Sequence, residues 1–254
     1  MKLALLTAAF GFLITASANA ADGDKIKVAV EGVYPPFSFV EGGTLKGFDV
    51  DIGKALCEKA KLSCEFIAQE WDGIIPGLLA KKYDAIVSSM NITEERKKKV
   101  LFGDKYYDTP TMFVAAKSAK ITDTSPKGLS GKIVGVQGST TAQNYMEEKY
   151  KGLDFKTYST IDDALNDLAA GRIDLMISDK IQINQWLEQS KEAAECCEFV
   201  GKEIRDPILG AGKGVAFRKE DEALKDKFNV ALKAILADGT YQKINAKYFP
   251  FSIY

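Results

Sequence analysis

Strand and helix patterns alternate along this chain, and the alternation restarts near its middle. Ile26, Val28 and Val30 mark a period-two strand; Phe48, Ile52, Ala55 and Leu56 then form a helical apolar face. Glu65 to Ala68 reads as a strand. Ile74, Ile75, Leu78 and Leu79 make the next helical face, with Pro76 near its beginning. Asp84 to Val87 is a short apolar strand. The order then repeats: strand Lys132–Val136, a helix from Gly138 to about Tyr150, strand Phe155–Tyr158, a helix capped by Thr160, and a buried strand from Ile173 ending at Ser178-Asp179. Leu78, Ala80, Asp84 and Ser88 match Leu168, Ala170, Asp174 and Ser178 at one constant offset. The fold class is therefore α/β, as two lobes of similar design. Ligands of such sheets sit outside the carboxyl ends of the strands. A mature chain of roughly 230 residues is long for one simple core and suits two modest lobes.

Two proline-bearing stretches, Asp108-Thr109-Pro110-Thr111 and Arg205-Asp206-Pro207-Ile208, read as hinge crossings. They divide the chain into lobe 1 (21–108), lobe 2 (109–207) and a return segment of lobe 1 (208–254). In that segment Gly214–Phe217 reads as a strand, Glu222–Ala237 as a helix, and Asp238-Gly239-Thr240-Tyr241 as the start of a last helix.

Residues 1–20 read as a cleaved signal peptide. Lys2 supplies the charge, Leu3–Ile14 the apolar run and Ala18-Asn19-Ala20 the cleavage site. The run is too short to span a bilayer comfortably. Ala21, not Cys, follows the site, so no lipid attachment is expected, and the periplasm is the expected location. The 34 Lys and Arg nearly balance the 35 Asp and Glu, which points away from nucleic acid and anionic membranes. The chain has no histidine, which excludes Ser-His-Asp and Cys-His catalysis and His-ligated metals.

The stretch Ser88-Ser89-Met90-Asn91-Ile92-Thr93-Glu94-Glu95-Arg96 ends a strand with hydroxyls, a turn residue and a helix start carrying an arginine. That set suits a carboxylate, which guanidinium binds bidentately and helix-start N–H groups supplement. With EGVYPPFSF, GFDVDIGKALC, WDGIIPGL, GVQGSTT, AAGRIDLMISD and DGTYQKINAKYF, the chain resembles the solute-binding proteins of ABC importers. It is most similar to the group binding lysine, arginine, ornithine, histidine and opines. The resemblance covers essentially the whole mature chain and implies the two-lobed periplasmic binding fold of type II.

The resemblance implies roles. Arg96 holds the ligand α-carboxylate, beside Ser88 and backbone and side-chain donors of Ser89 and Asn91. Asn91 departs from a Ser common in relatives. Ser139, Thr140 and Thr141 contribute from the second lobe, with plain N-capping by Ser139 or Thr140 as the competing reading; Thr141 departs from a Gln seen in some relatives. Asp179 pairs with the α-ammonium, its alternative being a helix N-cap. Tyr34 and Trp71 sandwich the ligand side chain, unless either ring is plain core. Glu31 selects a cationic side chain, against a surface role. Asp49 acts at longer range or caps its helix.

Cys57 and Cys64 enclose a short loop in a secreted chain, and the resemblance includes this pair. A disulfide there stabilises by roughly 2–3 kcal/mol in the chain-entropy model. Cys196 and Cys197 lie outside the pattern: free thiols, a vicinal disulfide or intermolecular links are all open, with a structural or incidental role preferred.

The expected function is capture of a basic amino acid, arginine first, then lysine, ornithine, histidine or an opine, and delivery to an ABC permease. No cofactor, metal or enzyme activity is expected, and the chain is expected to be a monomer. The alternatives are a periplasmic dehydratase of the prephenate or arogenate type, with Glu31 as its cleft acid, and a protein that presents its ligand to a chemoreceptor.

Overall fold

The computed structural model describes residues 25–254, so the expected signal peptide lies outside the described residues. Two five-stranded sheets dominate, one per lobe. In the first the strand order is Cys64–Ala68, Ile26–Val30, Ala85–Ile86, Lys213–Phe217 and Leu101–Tyr107. In the second it is Phe155–Tyr158, Val134–Gln137, Leu175–Asp179, Thr111–Ala116 and Cys197–Ile204. In each sheet the first three strands are parallel, the fourth runs against them, and the fifth is antiparallel to the fourth. The sequence echo has a structural counterpart: Ala85–Ile86 and Leu175–Asp179 are the third strands of their sheets.

Helices cover both faces of each sheet, which is why the central strands are apolar on both sides. In the first lobe, Phe48, Ile52, Phe217, Phe228 and Tyr241 form one core. Ala29, Ile74, Leu78, Tyr83 and Ile86 form the core on the opposite face. The second lobe repeats this with Phe113, Val136, Met146 and Ile177 on one side and Val114, Leu165, Leu168 and Ile183 on the other.

The chain leaves the first sheet after Tyr107 and enters the second at Thr111; it returns between Ile204 and Lys213. Asp108 and Arg205 form an ion pair that joins the two crossings. Ile181 of the second lobe packs against the first-lobe core. The tail also reaches the hinge, where the Asp108 N–H donates to the Ile253 carbonyl at 2.9 Å.

Sequence patterns miss some elements. Thr111–Ala116 is buried at every residue, so it shows no alternation. Cys197–Ile204 is an edge strand with an irregular register between Val200 and Ile204, which blurs its period. A three-stranded sheet of Val33–Tyr34, Ser38–Glu41 and Thr44–Lys46 is too short-stranded to read. Cys57 and Cys64 are bonded and tie the helix Phe48–Lys59 to the strand Cys64–Ala68. Cys196 and Cys197 are bonded to each other, where the helix Lys191–Cys196 meets its strand.

Candidate ligand-binding cleft

The carboxyl ends of the parallel strands of both sheets face a cleft enclosing about 540 Å³ of empty space, open mouth included. Glu31, Tyr34, Trp71, Ser88, Ser89, Asn91 and Arg96 line it from the first lobe, and Thr140, Thr141 and Asp179 from the second.

Arg96 is positioned by local sequence. Thr93 caps the helix Glu94–Lys99, its hydroxyl accepting the Arg96 N–H at 3.2 Å. The guanidinium stands 5.3 Å from the Trp71 ring centre. It donates to the Asn91 carbonyl at 3.1 Å and across the cleft to the Ser139 carbonyl at 3.3 Å. Burial lowers its pKa to about 10, so it stays a cation at neutral pH. Trp71 opens the helix Trp71–Leu79. Its indole N–H also donates to the Ser139 carbonyl, at 3.1 Å. Trp71 is thus a base plate for Arg96 as well as a cleft wall.

Ser89 lines the cleft and bonds within its own lobe. Its backbone N–H, read as a ligand donor, donates to the Tyr106 hydroxyl at 3.2 Å. Its own hydroxyl donates to Asp49 at 2.8 Å and accepts from Tyr107 at 2.6 Å. The physical reason is Asp49. This carboxylate is fully buried and needs donors, which Ser89 and the Tyr106 hydroxyl at 2.7 Å provide. Burial raises its pKa to about 7, against those hydrogen bonds and the Lys213 charge, which lower it. Asp49 caps nothing: Gly47 is the N-cap, at φ +121°. A Cβ on Gly47 would lie 2.3 Å from the Phe37 carbonyl oxygen, so only glycine fits that close approach. Asp49 therefore sits beneath Ser89 rather than in the cleft wall.

Ser88 accepts the Glu31 N–H at 2.9 Å and fixes the end of the strand Ile26–Val30. Glu31 is buried, and burial raises its pKa to about 7; the hydrogen bond from Gln137 at 2.7 Å opposes that rise. Tyr34 lines the cleft with its ring stacked on Phe37, centroids 5.6 Å apart.

From the second lobe, Thr140 caps the helix Thr141–Lys149, accepting the Gln143 N–H at 3.2 Å. The N–H groups of Thr141 and Ala142 begin that helix, ahead of its hydrogen-bond ladder. Ser139, at φ +57°, turns its carbonyl toward Trp71 and Arg96. Thr141 accepts from the Asn91 amide at 2.8 Å. Asp179 caps its helix, the alternative read for it, and also lines the cleft. One oxygen caps the helix Lys180–Gln189 by accepting the Ile181 N–H at 2.9 Å. The other faces the cleft, where Thr109 donates to it.

Gln137 and Lys213 are cleft residues that escape the sequence patterns. Gln137 ends the strand Val134–Gln137, buried beside Gly138. Lys213 begins the strand Lys213–Phe217 and is 5% exposed. Its ammonium lies 2.6 Å from the Asn91 amide oxygen and 3.3 Å from Asp179. A charged residue between Gly212 and Gly214, after a hinge crossing, is the available signal for it.

The cleft thus offers an anion site at Arg96 and the helix start of Thr141. It also holds carboxylates at Asp179 and Glu31.

The family model for bacterial extracellular solute-binding proteins, family 3, matches residues 26–251. The L-arginine-binding protein of Pseudomonas aeruginosa is 42% identical, over 100% of this chain and 98% of that one. The lysine/arginine/ornithine-binding periplasmic protein of Escherichia coli is 37% identical, over 96% and 95%. Among solved structures, an ancestral arginine-binding protein bound to arginine superposes with a TM-score of 0.81 at 35% identity, covering 89% of this chain and 98% of that one.

Proposed function

Because this chain belongs to the bacterial extracellular solute-binding proteins, family 3, we propose that it captures a basic amino acid in the periplasm and hands it to an ABC permease. Arginine is the first choice, followed by lysine, ornithine, histidine and opines. The observation that carries this reading is the distribution of charge along the cleft. Arg96 and the N–H groups of Thr141 and Ala142 receive the α-carboxylate. Asp179 receives the α-ammonium, and Glu31 receives the cationic side chain between Tyr34 and Trp71. No bond is made or broken; the lobes close on the ligand.

The relatives that support this reading are binding proteins for arginine and for lysine, arginine and ornithine. Export through a cleaved leader, lobe boundaries at the two crossings, monomeric behaviour and presentation to a chemoreceptor belong to the same proposal. So does the lack of catalysis. One solved neighbour is an ancestral amino-acid-binding protein described as a precursor of cyclohexadienyl dehydratase, at 32% identity, so turnover of prephenate or arogenate is the assay that opposes this reading.

Native mass spectrometry of protein purified without refolding, followed by calorimetric titration, tests it. The expected result is a retained or titrated basic amino acid bound one to one. A protein that binds none of these ligands, or that consumes prephenate or arogenate, overturns it.

A further inference from the structure

Lys213 is a buried cation that the binding scheme above does not use. It sits at the start of a strand in the first-lobe sheet, beside the second crossing. Its ammonium donates to the Asn91 amide oxygen at 2.6 Å and lies 3.3 Å from Asp179 and 5.9 Å from the centre of the Tyr107 ring. The Asp179 contact crosses from one lobe to the other.

The acceptor capacity of Asp179 makes this contact matter. A carboxylate offers about four lone-pair sites. The Ile181 N–H takes one on the first oxygen, while Thr109 and Lys213 both address the second. An α-ammonium arriving at Asp179 therefore meets a carboxylate already neutralised by a resident cation. Like charges brought together in a partly dry cleft repel strongly, because solvent no longer screens them.

Resting on the reading of Asp179 as the ammonium partner, we propose that Lys213 is a specificity-determining residue. Its ammonium competes with the ligand α-ammonium for Asp179. It thereby lowers affinity for net-cationic ligands and ties selectivity to ligand charge. A cationic amino acid carries the full penalty. A neutral zwitterion carries less: it shares the contest at Asp179, but its side chain adds no second positive charge to the field of Lys213. An acidic amino acid gains from the lysine.

Calorimetric titration of wild type, Lys213→Met, Lys213→Gln and Lys213→Arg with arginine, glutamine and glutamate tests this. Methionine keeps most of the length of the side chain and glutamine keeps a polar end, so a folding defect in one need not appear in the other; circular dichroism melts check both. The expected result is arginine affinity raised about tenfold or more in the neutral variants, with a smaller gain for glutamine and a loss for glutamate. Lys213→Arg stays near wild type. Unchanged or weaker arginine binding in a folded neutral variant overturns the inference, as does an equal gain for all three ligands. Wild type that binds no basic amino acid overturns instead the functional reading, and this inference falls with it.

Discussion

The Gln137 amide of the second lobe donates to the Glu31 carboxylate of the first at 2.7 Å. A buried acid at one end of the cleft is thus held from across it. The same amide group also donates to the Ser159 carbonyl, at 3.1 Å, so Gln137 is anchored in its own lobe while it reaches to the other. A ligand guanidinium or ammonium that takes up Glu31 meets an acid oriented in advance.

Glu31→Gln is expected to weaken arginine and lysine by about 2–5 kcal/mol, the range for losing one member of a buried charge pair. Glutamine binding is expected to change much less. Titration calorimetry with all three ligands checks the difference; an equal loss for all would remove Glu31 from the selectivity argument.

The raised pKa of Glu31 gives a pH dependence with a definite sign. Burial lifts it from 4.5 to about 7, so the acid is charged only above that value, and cation affinity is expected to rise as pH goes from about 5 to 8. Stability runs the other way. The folded state holds a proton that the unfolded state has released between about pH 4.5 and 7. Glu31 therefore contributes stability that fades as pH rises through this window. Asp49, lifted to about 7 by burial, adds in the same direction. Binding isotherms and thermal melts at several pH values, in wild type and Glu31→Gln, separate the two: the variant is expected to lose most of the pH slope in binding but to keep the part of the melt slope that belongs to Asp49.

Arg96→Ala is expected to abolish amino-acid binding and leave the fold intact. The guanidinium contacts backbone carbonyls of Asn91 and Ser139 and an indole ring, and no core residue depends on it. Arg96→Lys is expected to recover little, because a point charge cannot replace a bidentate fork stacked on Trp71. Titration beside circular dichroism decides this; near-normal affinity in a folded variant would reject the carboxylate anchor.

How much of this was legible in sequence depended on how local the signal was. Arg96 could be placed because Thr93 and the helix it caps fix the arginine by short-range geometry. Asp179 could be placed because it ends an apolar strand. Gln137 and Lys213 also lie at strand ends, but a polar residue there looks like the start of a turn, and only the packing of two lobes reveals that both point into one cleft. Asp49 was half legible. Its place in the first helical turn is local information, whereas its burial under Ser89, Tyr106 and Tyr107 comes from strands far along the chain.

Trp71→Phe separates the two tasks of the indole. Phenylalanine keeps a ring under Arg96 but loses the hydrogen bond to the Ser139 carbonyl, so affinity is expected to fall by about 1 kcal/mol. Trp71→Ala removes the ring as well and is expected to cost more, through the lost cation–π contact. Equal affinity in Trp71→Phe and Trp71→Ala, measured by calorimetry, would show that the ring face contributes nothing.

Ligand is expected to draw the lobes together about the crossings near Thr109 and Pro207. Arg96, Tyr34, Trp71 and Glu31 belong to strands and helices around the first sheet, and Thr140, Thr141 and Asp179 to those around the second. Neither set alone supplies the Arg96 anchor, the Asp179 ammonium partner and the Glu31 side-chain partner together, so a closed state binds far more tightly than an open one. A ligand shifts the equilibrium between two states only by that difference. Hinge closure about two crossings is a known way to realise it. Contacts between the lobes already join Asn91 to Thr141, Trp71 and Arg96 to Ser139, and Glu31 to Gln137, and these bonds reward closure alongside the ligand. Small-angle scattering of stripped protein, with and without saturating arginine, is expected to show a smaller radius of gyration in the complex. Disrupting the interlobe bonds with Asn91→Ala is expected to leave the stripped protein more open and to weaken arginine binding, since ligand must then supply more of the closing energy. An unchanged radius of gyration in wild type, with the stripped protein open, would refute closure as the binding mechanism.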